Sequence, residues 1–130
     1  MILLDTNVLV GILRGDSKLA ARFAEHSGDI AIPAMVLGEL HYGTEKSSNP
    51  ERNRLAVEEL LEALPVMHTT DEIMALFGKL KAMLALRGEI VADADLLIAA
   101  TALFYDATLV TANVRHFSRF DDLKLDNWGA

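Results

Sequence analysis

The chain opens Met1-Ile2-Leu3-Leu4-Asp5-Thr6-Asn7, an aliphatic run followed by a carboxylate with no polar lead-in. A continuous apolar run this short marks a strand buried on both faces, as in a parallel sheet covered by helices. Asp5 then falls at the carboxyl end of that strand, the edge where open parallel sheets bind their ligands. Two readings of Asp5 stand side by side. Either Thr6 or Asn7 caps the helix begun by Val8-Leu9-Val10 and leaves Asp5 free for a site, or Asp5 is itself the N-cap.

The same alternation recurs along the chain. A helix over Val8 to Leu13 ends near Gly15, and Asp16 or Ser17 caps a second over Lys18 to His26. Ile30-Ala31-Ile32 is a second strand closed by Pro33, which suits the first turn of a helix running from Ala34 to Lys46. Asn49-Pro50 restarts a helix through Leu64, and Pro65 to His68 reads as a third strand. Thr69-Thr70-Asp71-Glu72 caps an amphipathic helix from Asp71 to Leu86, ended by Arg87-Gly88. The run Asp95 to Tyr105 is apolar almost all round, which marks a buried helix. Thr108 to Thr111 is a fourth strand, Asn113 to Arg119 a helical turn, and Leu123-Lys124-Leu125 a fifth strand at the edge. Helices alternating with short apolar strands give an α/β class with a parallel sheet of four to five strands.

A chain of 130 residues with 52% apolar content is expected to be one domain, 1–130, large enough for a shared core. No apolar run approaches the ~20 residues of a membrane span, and no basic segment leads into an apolar one at the N-terminus. The chain has no cysteine, which removes disulfides and thiolate metal sites and fits a cytoplasmic protein. Its net charge of −7 repels phosphate backbones at long range, so nucleic acid could be bound only locally or through a metal.

The polar residues of interest sit where strands end or buried helices begin. Asp5 follows the first strand, Asp93 and Asp95 open the most buried helix, and Asn113 follows the fourth strand. Glu39 lies inside a helix, on the stripe of Val36, Leu40 and Gly43. A carboxylate on a packed face is costly unless it is paired or binds a metal; the alternative is a rim position where Glu39 reaches out to solvent or pairs with an Arg. Asp93 suits the N-cap of its helix, which leaves Asp95 for the site, with the reverse assignment as the alternative. Three carboxylates from separate segments, converging on one crevice, suit a hard cation such as Mg²⁺ or Mn²⁺. A bound ion would also reverse the local field and admit a phosphodiester. The histidines His26, His41, His68 and His116 show no ligand spacing, and only His116 lies near the proposed site.

These residues carry a resemblance. The chain resembles PIN-domain proteins, and among them the VapC-type toxins of toxin–antitoxin pairs. The resemblance rests on Leu3-Leu4-Asp5-Thr6-Asn7, Gly38-Glu39-Leu40 with Tyr42-Gly43, and Lys46-Ser47 with Pro50-Glu51-Arg52-Asn53. It continues through Asp93-Ala94-Asp95-Leu96-Leu97-Ile98-Ala99-Ala100, Leu109-Val110-Thr111-Ala112-Asn113, Arg115-His116-Phe117 and the tail Leu123 to Trp128. The order and spacing of these pieces along the whole chain, rather than any one of them, are specific.

The resemblance implies a doubly wound α/β sandwich, its sheet flanked by helices, and a Mg²⁺- or Mn²⁺-dependent endoribonuclease with the family's principal acids at Asp5, Glu39 and Asp95. It implies an RNA substrate (tRNA at the family level), a cognate antitoxin, a homodimer, and contact with DNA only through the antitoxin. A fourth acid is common in the family, but the aligned position here is Asn113, and His116 stands where some relatives carry an acid. Asn can bond a metal-bound water yet adds no charge, so a single ion fits better than a permanent pair. On this reading Asp5 and Asp95 hold the ion, Glu39 orients or deprotonates the attacking water, and Asn113 positions water. Thr6 and Thr111 are expected to bond these groups, and Arg14, Arg87, Arg115 and Arg119 are candidate contacts to the RNA backbone. Two rivals remain: a receiver-type signalling module, which lacks its phosphoacceptor Asp on an internal strand, and a degenerate PIN domain that binds RNA or protein without cutting.

Overall fold

A computed structural model describes the whole chain, Met1–Ala130. Its five strands are β1 (Ile2–Leu4), β2 (Ile30–Pro33), β3 (Val66–Met67), β4 (Thr108–Val110) and β5 (Lys124–Asp126). They form one sheet in the order β3-β2-β1-β4-β5, every pair parallel. The first strand is therefore central, with the chain winding outward on either side of it. Leu3 and Leu4 are fully buried, as a strand covered on both faces demands. Burial of each such side chain contributes about 1.5–3 kcal/mol.

The helices are α1 (Thr6–Leu13), α2 (Ser17–Glu25), α3 (Ala34–Glu45), α4 (Pro50–Leu61), α5 (Asp71–Leu86), α6 (Asp93–Phe104) and α7 (Val114–Phe117). α6 is the innermost: Leu96, Ile98, Ala99, Ala100, Thr101 and Ala102 are all buried, and it packs on β2, β4, α3 and α5. Thr101 is tolerated there because its hydroxyl donates to the Leu97 carbonyl one turn back, 2.8 Å away. α1 and α2 approach closely where Gly11 meets Leu19; a Cβ at Gly11 would run into that side chain. Gly88, at φ +72°, takes the left-handed turn that ends α5.

Most expected elements lie within a residue or two of their observed bounds, and the departures have physical reasons. α4 stops at Leu61 rather than Leu64: the N–H groups of Ala63 and Leu64 bond the carbonyls three residues back in a tightened turn, and Leu64, before Pro65, is kept out of helical geometry. Thr6 and Asn7 do not cap α1; both lie inside it, and Asp5 is the N-cap, its Oδ1 accepting from the Thr6 N–H at 2.9 Å. Asp16 rather than Ser17 caps α2, accepting from the N–H groups of Lys18 and Leu19. Asp93 does not cap α6; the N-cap is Ala92, and no side chain bonds the first turn. The tail returns to the body, with buried Trp128 stacked on His26 at 5.4 Å between ring centres.

Candidate active site

β1 and β4 run in register, Leu4 opposite Val110, so their next residues, Asp5 and Thr111, emerge side by side. The Asp5 N–H continues the pairing by donating to the Val110 carbonyl at 2.9 Å. The Thr111 hydroxyl donates to Asp5 Oδ2 at 2.7 Å and accepts from the Asn113 N–H at 3.0 Å. Asn7 donates to the same Oδ2 at 3.3 Å, and its Oδ1 accepts from the Ala112 N–H at 3.1 Å. The loop after β4 is thereby stitched to the start of α1, with Asp5 at the seam. Of the two readings of Asp5 the N-cap holds, and at 5% exposure the same residue is also a buried carboxylate at the carboxyl edge of the sheet.

The other two acids reach this edge from α3 and α6. Glu39 Oε1 accepts from the Thr6 hydroxyl at 2.7 Å, which ties α3 to the first residue of α1. It is half-buried and pairs with no Arg or Lys, so of the rim alternatives the Arg pairing is absent. Asp95 lies in the first turn of α6, where its Oδ2 is 3.0 Å from His116 Nε2. Burial pushes the Asp5 carboxyl above the ordinary Asp range; hydrogen bonds from Thr111, Thr6 and Asn7 oppose this, and the charge of Asp95 adds to it. Asp5 and Asp95 thus repel one another across the site, and no cation of the chain compensates Asp5.

That imbalance bears on the expected metal. A desolvated carboxylate beside a second one is costly to hold unless a cation joins them. The donors are oxygens, which suits Mg²⁺ or Mn²⁺ rather than a soft metal. No three Asp, Glu or His side chains converge closely enough to form a ready-made cage. Mg²⁺ does not require one, because it is commonly held by one or two carboxylates with waters completing its shell. The residues present fit such an ion, with Asp5 and Asp95 as the pair that would hold it.

Asn113 lies exposed at the start of α7, and its side chain makes no cap hydrogen bond. Asp93 points away from the site toward Lys81, 2.9 Å distant. Thr6 and Thr111 bond the acids as expected. Among the arginines, Arg87 and Arg119 face Glu89, whereas Arg115 is exposed with no acidic partner. Arg14 lines a groove of about 470 Å³ between α1, α3 and α4, together with Thr6, Val10, Leu13, Glu39 and Tyr42. Two contacts escaped the sequence reading: the Asn7 bridge to Ala112 and the His116 bond to Asp95. His116 was marked only by its position, three residues beyond Asn113, one helical turn that turns its ring back toward α6.

A PIN domain model matches residues 2–123. Ribonuclease VapC2 of Haemophilus influenzae is 34% identical over 127 residues, covering 97% of this chain and 96% of that protein. The tRNA(fMet)-specific endonuclease VapC of Shigella flexneri is 32% identical over the same shares of the two chains. Among solved structures, VapBC2 of Rickettsia felis bound to a promoter DNA fragment superposes with a TM-score of 0.92 at 33% identity, covering 98% of this chain and 99% of that one. Matched from β1 to the loop before β5, and alike in sequence and fold to relatives of the same length, the chain belongs to the PIN-domain family, in its VapC group.

Proposed function

We propose that this chain is a Mg²⁺- or Mn²⁺-dependent endoribonuclease and the toxin of a toxin–antitoxin pair, with residues 1–130 acting as one domain. The observation that carries the reading is Asp5: a carboxylate 5% exposed, at the joined ends of β1 and β4, repelled by Asp95 and lacking a cation. Relatives bearing the names ribonuclease and tRNA(fMet)-specific endonuclease support an RNA phosphodiester as substrate, with tRNA the first to test. VapBC complexes among the similar structures support a cognate antitoxin, and DNA contact through that partner. No helix is long and apolar enough to cross a membrane, which is compatible with the cytoplasm, and a homodimer belongs to the same reading.

The geometry supports a role for each residue. Asp5, fixed by three hydrogen bonds, and Asp95 would hold the ion. Bound there, the ion supplies Lewis acidity and a water of lowered pKa. Glu39, steadied by the Thr6 hydroxyl at 2.7 Å, orients the attacking water and accepts its proton. Asn113 offers an uncharged amide to position water at the mouth. Arg14 and Arg115 are free to meet the RNA backbone, a local attraction within an acidic protein of net charge −7.

The test is cleavage of end-labelled initiator tRNA. The protein is expected to cut with Mg²⁺ or Mn²⁺ and to stop in EDTA. Asp5→Asn should lower the rate by about 100-fold or more, the scale of removing one preorganised electrostatic group. Undiminished cutting in EDTA would dismiss the metal mechanism. Tight tRNA binding with no cleavage under any metal would instead favour the non-catalytic PIN domain.

A further inference from the structure

The hydrogen-bond chain that begins at Asp5 does not stop at Thr111. The Thr111 hydroxyl receives the Asn113 N–H at 3.0 Å and so sets where α7 begins. One turn later the His116 N–H bonds the Asn113 carbonyl at 3.1 Å, and the imidazole turns back across the site to Asp95. The ring is braced edge-on by Phe117, with centroids 5.1 Å apart, and Phe117 is itself 1% exposed in the core. Asp95 is by contrast a loosely held acid. Its carboxylate sits in the first turn of α6, where no side chain bonds the backbone N–H groups, and its one hydrogen bond is the 3.0 Å contact to His116 Nε2. A carboxylate only accepts, so Nε2 carries the proton and donates it to Oδ2, leaving Oδ1 unengaged.

We propose that His116 is the positioning residue for Asp95, holding Oδ2 so that Oδ1 is presented to the ion, and that α7 couples this orientation to Asp5 through Thr111. The proposal rests on the metal reading above. Its physical basis is preorganisation: an acid that would otherwise sample several rotamers loses that freedom before the ion arrives, not when it binds. It also accounts for why α7, only four residues long, is anchored at both ends, by the Thr111 hydroxyl at one and by buried Phe117 at the other.

Mn²⁺ binding followed by electron paramagnetic resonance, without RNA, tests this. His116→Phe keeps an aromatic ring against Phe117 but removes the donor, and should weaken Mn²⁺ affinity about 10- to 100-fold, the usual effect of losing a partner behind a metal ligand. His116→Gln places an amide N–H near the position of Nε2 and should restore affinity to within about threefold of wild type, a rescue that mere packing would not produce. Should the Phe variant melt early, His116→Ala serves the same comparison. If wild type binds Mn²⁺ but the donor-less variants bind it equally well, the positioning role is overturned. If the Gln variant is as weak as Phe, the imidazole itself is the ligand and the proposal is likewise wrong. If wild type shows no Mn²⁺ site abolished by Asp5→Asn, it is the metal reading that fails, and the two failures are told apart.

Discussion

Asp5 carries two duties that pull against each other. As the N-cap of α1 it accepts from the Thr6 N–H, a role that any Asp, Ser or Asn fills. As a site residue it is buried beside Asp95, and burial pushes its carboxyl above the ordinary Asp range. A raised carboxyl means that the folded chain holds the proton more tightly than the unfolded one. The penalty of the buried charge is therefore complete at neutral pH, recedes as pH falls through the raised value, and is gone below the unfolded value of about 3.9. Asp5→Asn removes the charge and nearly conserves the shape. In metal-free buffer, the melting temperature of Asp5→Asn minus that of wild type should be largest at pH 7 and shrink steadily toward pH 4. Scanning calorimetry that finds a constant or widening difference would refute the account of Asp5 as an uncompensated charge. Saturating Mg²⁺ should reverse the order at pH 7, since an ion at 100 times its Kd stabilises wild type by about 2.7 kcal/mol and the variant hardly at all.

The start of α6 shows what a sequence can and cannot reveal about an element. That Asp95 to Tyr105 forms a buried helix was legible, because apolar residues on every face leave no other place for it. Where the helix begins was not. Asp93 has the residue type and spacing of an N-cap, yet Ala92 is the cap, and Asp93 lies in the first turn with its carboxylate on Lys81 of α5. Lys81 is distant in sequence, and only the packing of α5 on α6 brings the two together. The two roles predict different energies. Loss of a capping side chain costs about 0.5–2 kcal/mol, whereas an exposed ion pair contributes about 0.2–1 kcal/mol. With side chains 56% and 65% exposed, Lys81 and Asp93 belong to the second class. Asp93→Ala should thus lower stability in urea by about 0.5 kcal/mol, Lys81→Ala by a similar amount, and the pair by less than their sum. Cleavage should persist in all three. A strictly additive pair would show that the contact contributes nothing, and loss of cleavage in Asp93→Ala would mean that the two aspartates were assigned the wrong way round.

At the scale of the molecule, the parallel sheet follows from local pattern and the three acids are singled out by the family resemblance, but the groove beside them follows from neither. Val10 and Leu13 of α1 and Leu37 and Leu40 of α3 stand beside the acids. All four pack on the core, Leu40 at 4% exposure, and three of them, Val10, Leu13 and Leu40, also line the groove. Its far wall, Ala56 and Val57, comes from α4, and nothing in the local pattern of α4 announces that partner.

The groove that results has about 470 Å³ of room, apolar residues from α1 and α4, and Glu39 among its lining residues. An amphipathic segment laid into such a groove would bury its apolar face, and a basic residue on it could meet the acids in place of the ion. Arg suits this best, because its planar guanidinium engages carboxylates bidentately and stays charged. The C-terminal tail of the proposed antitoxin is accordingly expected to lie between α1, α3 and α4 and to direct an Arg or Lys at Glu39 and Asp5. Arg14 and Lys46 also line the groove, so the incoming charge must reach the carboxylates rather than rest at the mouth, where it would be repelled. A peptide of the cognate tail should inhibit cleavage, and replacing its basic residue by Ala should weaken inhibition by at least tenfold, about 1.4 kcal/mol. Its binding, followed by fluorescence anisotropy in EDTA, should weaken less, because the apolar contacts remain. Rising Mg²⁺ should compete with the parent peptide and leave the Ala peptide unaffected. If the Ala peptide inhibits as well as the parent, filling the groove alone blocks RNA, and the substitution of a side-chain cation for the metal is wrong.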